Sequence, residues 1–585
     1  SSLESIGTFA FYNCIGLIDA LVLPNSLKTI DTSAFQNCTG IVSIAFDDNC
    51  KLESIGQEAF RGCTSLQQVT FADSPNFETI FDFAFRDCIG LTTLQFNGST
   101  VKDITFGDSS FEDCELLQNV ILPESLQIIG SAAFRGCEIL EVIKIPASVV
   151  QINGDAFMYC YQLGAVTFEG GSILKYIGGW AFAYCSLITE LEIPSSVNSI
   201  GGRAFIGCSG LTKLTIPIVG ATHSPSIAEQ GRFGIIFGDE DYPGSYNAPD
   251  SSGTTWKIPE SLTEVTINAY TNSDTKIAVG AFMNCTSITT LKIKCNVNTF
   301  DNPRIIEIGE QALRGCHGLV DLELPFTGRN ITTTDGYESK FGYIFGSAYY
   351  DGSYMIAQQG TVNPQNVYIP ESLTKVKVGC LGGGSINIRD NAFFGCKKIE
   401  YVDLANSSIK TIGSGVFNGC YGLTRLDLGF VGNAPTVDPI NEYKNHFGYI
   451  FGEGLYDYSY DVVLPYAAPN NKTYKLPNSL TYVRIKGVHN TYEIYKYGFY
   501  DCKKIMDLVI GSYVSSGGVT VGEAAFGFVG NYDGCLYFQN ILDPSPALNP
   551  TGWHVNWNSW GPTEYYWDGE WGYDENEYPV PIPNP

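Results

Sequence analysis

A phenylalanine and a cysteine three residues apart recur along this chain so regularly that few architectures remain open to it. Phe11/Cys14, Phe35/Cys38, Phe60/Cys63, Phe85/Cys88, Phe111/Cys114, Phe134/Cys137, Phe157/Cys160, Phe182/Cys185 and Phe205/Cys208 follow one another at 23 to 26 residues. Five further copies end at Cys285, Cys316, Cys396, Cys420 and Cys502, and the fuller pattern is Ala-Phe-x-x-Cys-x-x-Leu-x-x-Val-x-Ile-Pro. A self-similar period of this size marks a solenoid, in which each unit buries its apolar face only by stacking on its neighbours. Function in such a chain is expected on a surface rather than in a deep pocket.

At 585 residues a single globular core would ordinarily divide, but a solenoid core lengthens with each added coil, so one elongated body is expected. The chain carries 61 acidic against 34 basic residues, a net charge of -27. That balance repels nucleic acid and anionic lipid over most of the surface, and no basic run offsets it. No run of 18 uninterrupted apolar residues suggests insertion into a membrane. Leu3-x-x-Ile6-Gly7 already reads as part of a repeat rather than a signal peptide, as in a mature or trimmed piece of a longer protein.

Fourteen of the eighteen cysteines hold the same repeat position. Stacked coils turn every such thiol the same way, which favours a reduced, buried ladder over disulfides that need convergent Cβ vectors. Cys50, Cys295, Cys380 and Cys535 lie outside the pattern, and their redox state is left open. In Leu211-Thr-Lys-Leu214-Thr-Ile216-Pro217 the apolar residues alternate as in a short strand with one buried face. Leu214 and Ile216 are expected to point in, Lys213 and Thr215 out, with proline ending the strand. A second apolar turn such as Leu126-x-x-Ile129 and a single helical turn at Ala-Phe-x-x-Cys complete the expected coil.

These residues resemble the BspA-like class of leucine-rich-repeat surface proteins. The resemblance implies a curved leucine-rich-repeat solenoid with a parallel sheet on one face; the expected fold is an α/β solenoid of about eighteen coils, with that sheet on the concave face and short helical turns and strands on the other side. It also implies display at a cell surface and a role in adhesion to host proteins or other cells. The solenoid is expected over 1–540 and a Trp-rich acidic cap with a Pro-rich linker over 541–585. Fold transfers through such a resemblance more safely than ligand.

Gaps of 77, 80 and 82 residues follow Cys208, Cys316 and Cys420, and each holds the same insert, near 219–258, 327–369 and 431–476. Phe233-Gly-Ile-Ile-Phe-Gly238, Phe341-Gly-Tyr-Ile-Phe-Gly346 and Phe447-Gly-Tyr-Ile-Phe-Gly452 are followed by tyrosines, and the strand pattern then resumes. The tyrosines, Tyr242, Tyr246, Tyr349, Tyr350, Tyr354, Tyr456, Tyr458 and Tyr460, are candidate ligand contacts, with packing against the coil as the competing role. The outward strand positions turn from small and neutral to charged and aromatic along the chain. They include Lys377, Asp403, Asp427 and the candidate contacts Tyr401, Arg425, Tyr482 and Arg484, for which cross-strand pairing is the alternative.

Trp553, Trp557, Trp560, Trp567 and Trp571 are expected to cover the last coil. Leu324-Pro-Phe-Thr-Gly328 looks like a cell-wall sorting pentapeptide but reads better as the end of a repeat strand. The histidines lack ligand spacing, and no nucleophile elbow, zincin helix or P-loop is legible, so neither enzyme activity nor a cofactor or metal is expected. The expected function is extracellular or cell-surface recognition or adhesion. Protein or glycan ligands are the expected partners, host extracellular matrix and other cell surfaces among them. A self-associating structural spacer is the alternative.

Overall fold

The computed structural model describes residues 3–46, 50–71, 75–96, 103–222, 228–269, 275–295, 305–334, 336–358, 365–380, 385–436, 438–465, 472–486, 492–511, 519–521, 525–526, 535–539, 563–566, 571–573 and 579–581. Its contacts divide the chain into two compact units, Ser1–Ile288 and Thr289–Pro585. Both are parallel β-solenoid, and the turns together number about eighteen, the number of coils expected.

In the first unit the strand that carries Val-x-Ile repeats as a parallel ladder, for example Gln68–Phe71 on Thr93–Phe96 with Val69 opposite Leu94. Leu214 and Ile216 are fully buried as the period-two pattern requires. The segment read as a second apolar turn is instead a short strand. Nine such strands, from Ser5–Ile6 to Ser199–Ile200, form their own parallel sheet. Five of the nine run into an Ile-Gly pair, and at the last of them the glycine has a steric cause: a Cβ on Gly201 would lie 2.2 Å from the backbone nitrogen of Gly179 in the previous coil. Only a residue without a side chain lets the two backbones approach so closely.

The Ala-Phe-x-x-Cys segment is not the helical turn expected. Ser33 and Asn37 have φ of 53° and 60°, four residues apart, and equivalent residues repeat these left-handed angles in later coils. No α-helix accommodates that pattern. Instead the amide hydrogens alternate between two targets. Ala34, Gln36 and Cys38 bond back three residues within the coil, whereas Ser33, Phe35 and Asn37 donate to Gln57, Ala59 and Arg61 of the next coil. This arc is therefore a third ladder, built from turns, and it leaves few backbone groups unsatisfied.

The phenylalanines line the inside of that arc. Rings 35 and 60 stack at 5.1 Å, 85 and 111 at 5.2 Å, and 134 and 157 at 5.3 Å, all within a few degrees of parallel. Offset parallel stacking is a favoured aromatic geometry, and each buried ring adds about 1.5 to 3 kcal/mol of hydrophobic stabilisation. Beside them, each ladder thiol from Cys38 to Cys208 uses the second lone pair of a carbonyl in the preceding coil. Phe35 O accepts the Cys38 amide at 3.1 Å and the Cys63 thiol at 3.2 Å. The same bond joins Cys88 to Phe60 and Cys208 to Phe182 at 3.2 Å, and, in the second unit, Cys420 to Phe393 at 3.1 Å.

The inserts keep this spine intact. In the first unit Phe237 lies 6.4 Å from Phe205, and Phe233 lies 4.9 Å from Phe282 of the resumed repeat. A 3-10 helix, Phe233–Ile236, thus takes the place of one turn arc. It accepts from Arg203 and Phe205 through the carbonyls of Ile235 and Ile236 and donates from Phe233 to Ala281. Phe-Gly is needed because a Cβ on Gly234 would strike Trp256 at 2.3 Å. An antiparallel hairpin, Ser245–Pro249 with Thr255–Pro259, then returns the chain to the sheet at Glu264–Ala269. The second unit repeats this arrangement with hairpins Ser353–Gln358/Gln365–Pro370 and Ser459–Val463/Thr473–Pro477.

Toward the C-terminus, Cys535–Gln539 and Thr563–Tyr566 extend the parallel sheet, and Pro579–Pro581, read as linker, pairs antiparallel with Trp571–Tyr573. Trp553, Trp557, Trp560 and Trp567 lie outside the described residues, as do the side chains of Trp571, Cys295 and Cys535. The other sixteen cysteines are reduced. Burial raises the ladder thiols, to about 12 for Cys208 and Cys420, while Cys14 in the first coil is half-buried. Native protein treated with a thiolate-selective reagent at mildly alkaline pH is expected to label Cys14 first. The ladder from Cys63 to Cys208 should label only on unfolding, as read by peptide mapping, and rapid native labelling there would contradict the buried ladder.

Candidate functional site

The three inserts place their tyrosines in two equivalent positions. The first hydroxyl of each insert donates to a hairpin carbonyl: Tyr242 to Lys257 at 3.0 Å, Tyr350 to Tyr368 at 3.1 Å and Tyr456 to Lys475 at 2.7 Å. Four residues on, the second accepts from the turn after the next ladder cysteine: Tyr246 from Ser287 N at 3.3 Å and Tyr460 from Lys504 N at 3.4 Å. Tyr354 takes the same place beside Lys398. Burial pushes the phenols of Tyr242, Tyr350, Tyr354, Tyr456 and Tyr460 above their ordinary value. These six side chains clamp the hairpin to the solenoid. Tyr349 and Tyr458 have no counterpart in all three inserts and stand 61% and 72% exposed.

A basic residue precedes each Phe-Gly and reaches a backbone carbonyl of the resumed repeat. Arg232 donates to Val279, Lys340 to Asp390 and His446 to Tyr500, the last at 3.0 Å. His446 Nδ1 accepts from Gly448 N at 2.8 Å, which assigns the proton to Nε2. Its complete burial lowers the imidazole from 6.5 to about 4.

The outward face of the sheet in the second unit carries two rows of side chains in register. One runs Asp321, Lys375, Tyr401, Arg425, Tyr482, Asp507, and the other Glu323, Lys377, Asp403, Asp427, Arg484. In the first row Arg425 lies 4.6 Å from the ring centre of Tyr401 and 4.9 Å from that of Tyr482, a cation sandwiched between two aromatic faces. In the second row the Asp427 carboxylate is fully buried. Arg484 Nε meets it at 2.9 Å, Lys486 Nζ at 3.2 Å, Arg425 Nε at 3.4 Å and the Tyr401 hydroxyl at 3.1 Å. Burial raises its pKa, but Arg484, Lys486 and Arg425 outweigh that and hold it below the ordinary carboxylate range.

Toward Lys292 the same face loosens. Lys375 pairs with Asp321 at 3.1 Å and Lys377 with Glu323 at 3.4 Å, and both ammonium-bearing side chains are 44% exposed. Between these residues lies a cleft of about 390 Å³. Lys292, Lys375, Lys377 and Lys486 line it, against the carboxylates of Asp321, Glu323 and Asp403. A second cleft, of about 450 Å³, lies in the first unit beside Glu169 and Glu192. There Glu169 is committed to Lys144 at 2.5 Å and to the Ala147 amide at 3.2 Å. Among the described residues no cluster of metal-ligating side chains is assembled.

Six copies of a family model, the BspA type leucine rich repeat region, match residues 1–105, 104–223 and 381–433. Over those residues the chain is built of BspA-type leucine-rich repeats. Among solved structures it is similar to a leucine-rich repeat protein from Bacteroides ovatus. The two are 21% identical over 72% of this chain and 82% of that one, with a TM-score of 0.36. A leucine rich cell surface protein from Faecalibacterium prausnitzii is 20% identical over 70% and 86%, at a TM-score of 0.26. At these scores the superpositions are too loose to carry fold or function from one chain to the other. No curated protein matches the sequence.

BspA-type repeats form a non-enzymatic interaction fold, and the family implies a role in protein interaction or adhesion and suggests a surface location. No helix among the described residues is long and apolar enough to cross a membrane. The pentapeptide Leu324–Gly328 is strand end and turn, with Leu324, Phe326 and Thr327 buried, and so is closed to a processing enzyme in the folded chain.

Two outcomes are expected. Asp427→Asn leaves Arg425, Arg484 and Lys486 facing one another without their shared counter-charge and should cost about 3 to 5 kcal/mol in chemical denaturation of the second unit; a loss under 1 kcal/mol would contradict this electrostatic centre. His446 binds its proton more readily unfolded than folded, so stability should fall as pH drops from 6.5 toward about 4. The loss at pH 5 is about 2 kcal/mol relative to neutral pH, and a His446→Gln chain, compared by denaturation at both pH values, should lack that increment.

Proposed function

We propose that the chain is an extracellular or cell-surface recognition or adhesion protein that takes a protein or glycan ligand on the outward sheet face of its second unit, aided by Tyr349 and Tyr458. The supporting observation is the two-row array itself. On a chain of net charge -27, these strands present lysines, arginines and tyrosines at regular coil spacing on a backbone fixed by three ladders. A rigid scaffold loses little conformational freedom when it binds. The buried Arg425 and Arg484 hold the surface in shape, and the exposed Lys375 and Lys377 face the partner.

One observation favours a structural spacer instead: most charges on this face are already paired with one another across strands. A spacer needs no soluble ligand and binds chiefly its own kind. Sedimentation at rising concentration separates the readings, because a spacer of that type should self-associate and a recognition module should remain monomeric.

An array of glycans and extracellular-matrix proteins is expected to yield at least one saturable ligand. Tyr349→Ala with Tyr458→Ala should then weaken binding while changing stability by less than about 0.5 kcal/mol, as exposed substitutions do. Retention of full affinity would remove both tyrosines from the site. Tyr242, Tyr246, Tyr350, Tyr354, Tyr456 and Tyr460 belong to the clamp and are not proposed as contacts.

A further inference from the structure

We infer that the cleft of about 390 Å³ on the second unit is a subsite for an acidic saccharide, a sugar that carries a carboxylate among its hydroxyls. The inference rests on the recognition reading above and gives it a ligand chemistry. The volume lies within the range of small-ligand sites, about 300 to 1,000 Å³.

The lining decides the class. Lysine ammonium groups only donate hydrogen bonds and ionised carboxylates only accept them. A hydroxyl does both, so a sugar can satisfy Lys375 and Lys377 on one side and Asp321, Glu323 and Asp403 on the other. An acidic peptide has backbone amides to donate, but it sets a series of its own carboxylates against three more, where an acidic sugar brings one among many hydroxyls. A neutral sugar offers the exposed ammonium groups of Lys375 and Lys377 hydroxyls alone, whereas a sugar carboxylate gives them a charge-assisted partner.

The lysines are also able to respond. Their pairs at 3.1 and 3.4 Å join lysines 44% exposed to carboxylates 26% and 18% exposed, and such cross-strand pairs contribute only tenths of a kcal/mol. An incoming carboxylate can draw either ammonium away from its partner at small cost. Arg484, by contrast, is locked on Asp427 with both side chains at most 10% exposed, so that pair steadies the cleft wall, to which Lys486 joins it.

Titration calorimetry of the full chain with trigalacturonic acid, sialyllactose, a neutral galactose trisaccharide and hexaglutamate tests the assignment. Saturable binding of either acidic sugar is expected, weakening as salt is raised, with none for the neutral sugar or the peptide. The double variant Lys375→Gln/Lys377→Gln should keep its circular dichroism and melting while losing about tenfold to a hundredfold in affinity, since each lost bond involves a charged group. Silence from both acidic sugars, equal binding of hexaglutamate, or undiminished binding by the variant would overturn the assignment. If the array above still yields a ligand that competes at this face, the saccharide assignment falls alone and recognition stands. If nothing binds anywhere, both fall.

Discussion

Coil-to-coil hydrogen bonding is the constraint on which everything else here depends. Each coil offers its neighbour three edges: the outward strand, the short Ile-Gly strand and the left-handed turn arc. At the arc even the second lone pair of the Phe carbonyl is used, taken by the thiol of the next coil, as Phe60 O takes Cys88. Cysteine suits this position because it is small, apolar and a weak donor. Serine would satisfy the same carbonyl but would bring a more strongly hydrated group into a fully buried column. The stacked phenyl rings then set a uniform rise, and the sheet faces inherit it.

The inserts show how strictly that rise is kept. Some fifty residues separate Lys213 from Glu264 in sequence, yet the two are direct register partners. The chain manages this by substituting a 3-10 turn for one arc and seating Phe233 and Phe237 where a single repeat phenylalanine would stand. The hairpin that follows is fastened at both ends by tyrosine hydroxyls and by serine. Ser261, Ser372 and Ser479 each bridge two carbonyls of the preceding coil at 2.7 to 2.8 Å. An insert built in this way lengthens the chain without breaking the stack.

Much of this was legible in the residues. Period, buried strand positions and the Phe and Cys columns follow from spacing alone, because each needs only the rule that equivalent positions superpose. The helical reading of Ala-Phe-x-x-Cys failed since left-handed φ at Ser33, Asn37 and Asp87 leaves almost no compositional trace beyond a bias to small polar residues. The tyrosines held a usable signal that was read only in part. Tyr242/Tyr246, Tyr350/Tyr354 and Tyr456/Tyr460 keep one four-residue spacing in all three inserts, and what every copy retains is what the packing needs. Tyr349 and Tyr458 break the pattern and are the ones at the surface. Lys486, which reaches Asp403 and Asp427 from beyond the end of its strand, was missed because no register rule points to it.

Burial, rather than charge count, separates the two ends of the outward face in the second unit. Around Asp427 three cations and a phenol converge on one carboxylate that water does not reach. Removing the carboxylate strands the cations that share it, so the cluster is held together. Two and three strands nearer the start of this unit, the same residue types include lysines 44% exposed to water, where screening makes each pair weak and exchangeable. A face that is stiff at one end and adaptable at the other has the properties of a binding surface: the stiff part supplies shape, and the adaptable part supplies groups that a ligand can recruit. Identical chemistry thus performs two tasks, and solvent exposure assigns which residue performs which.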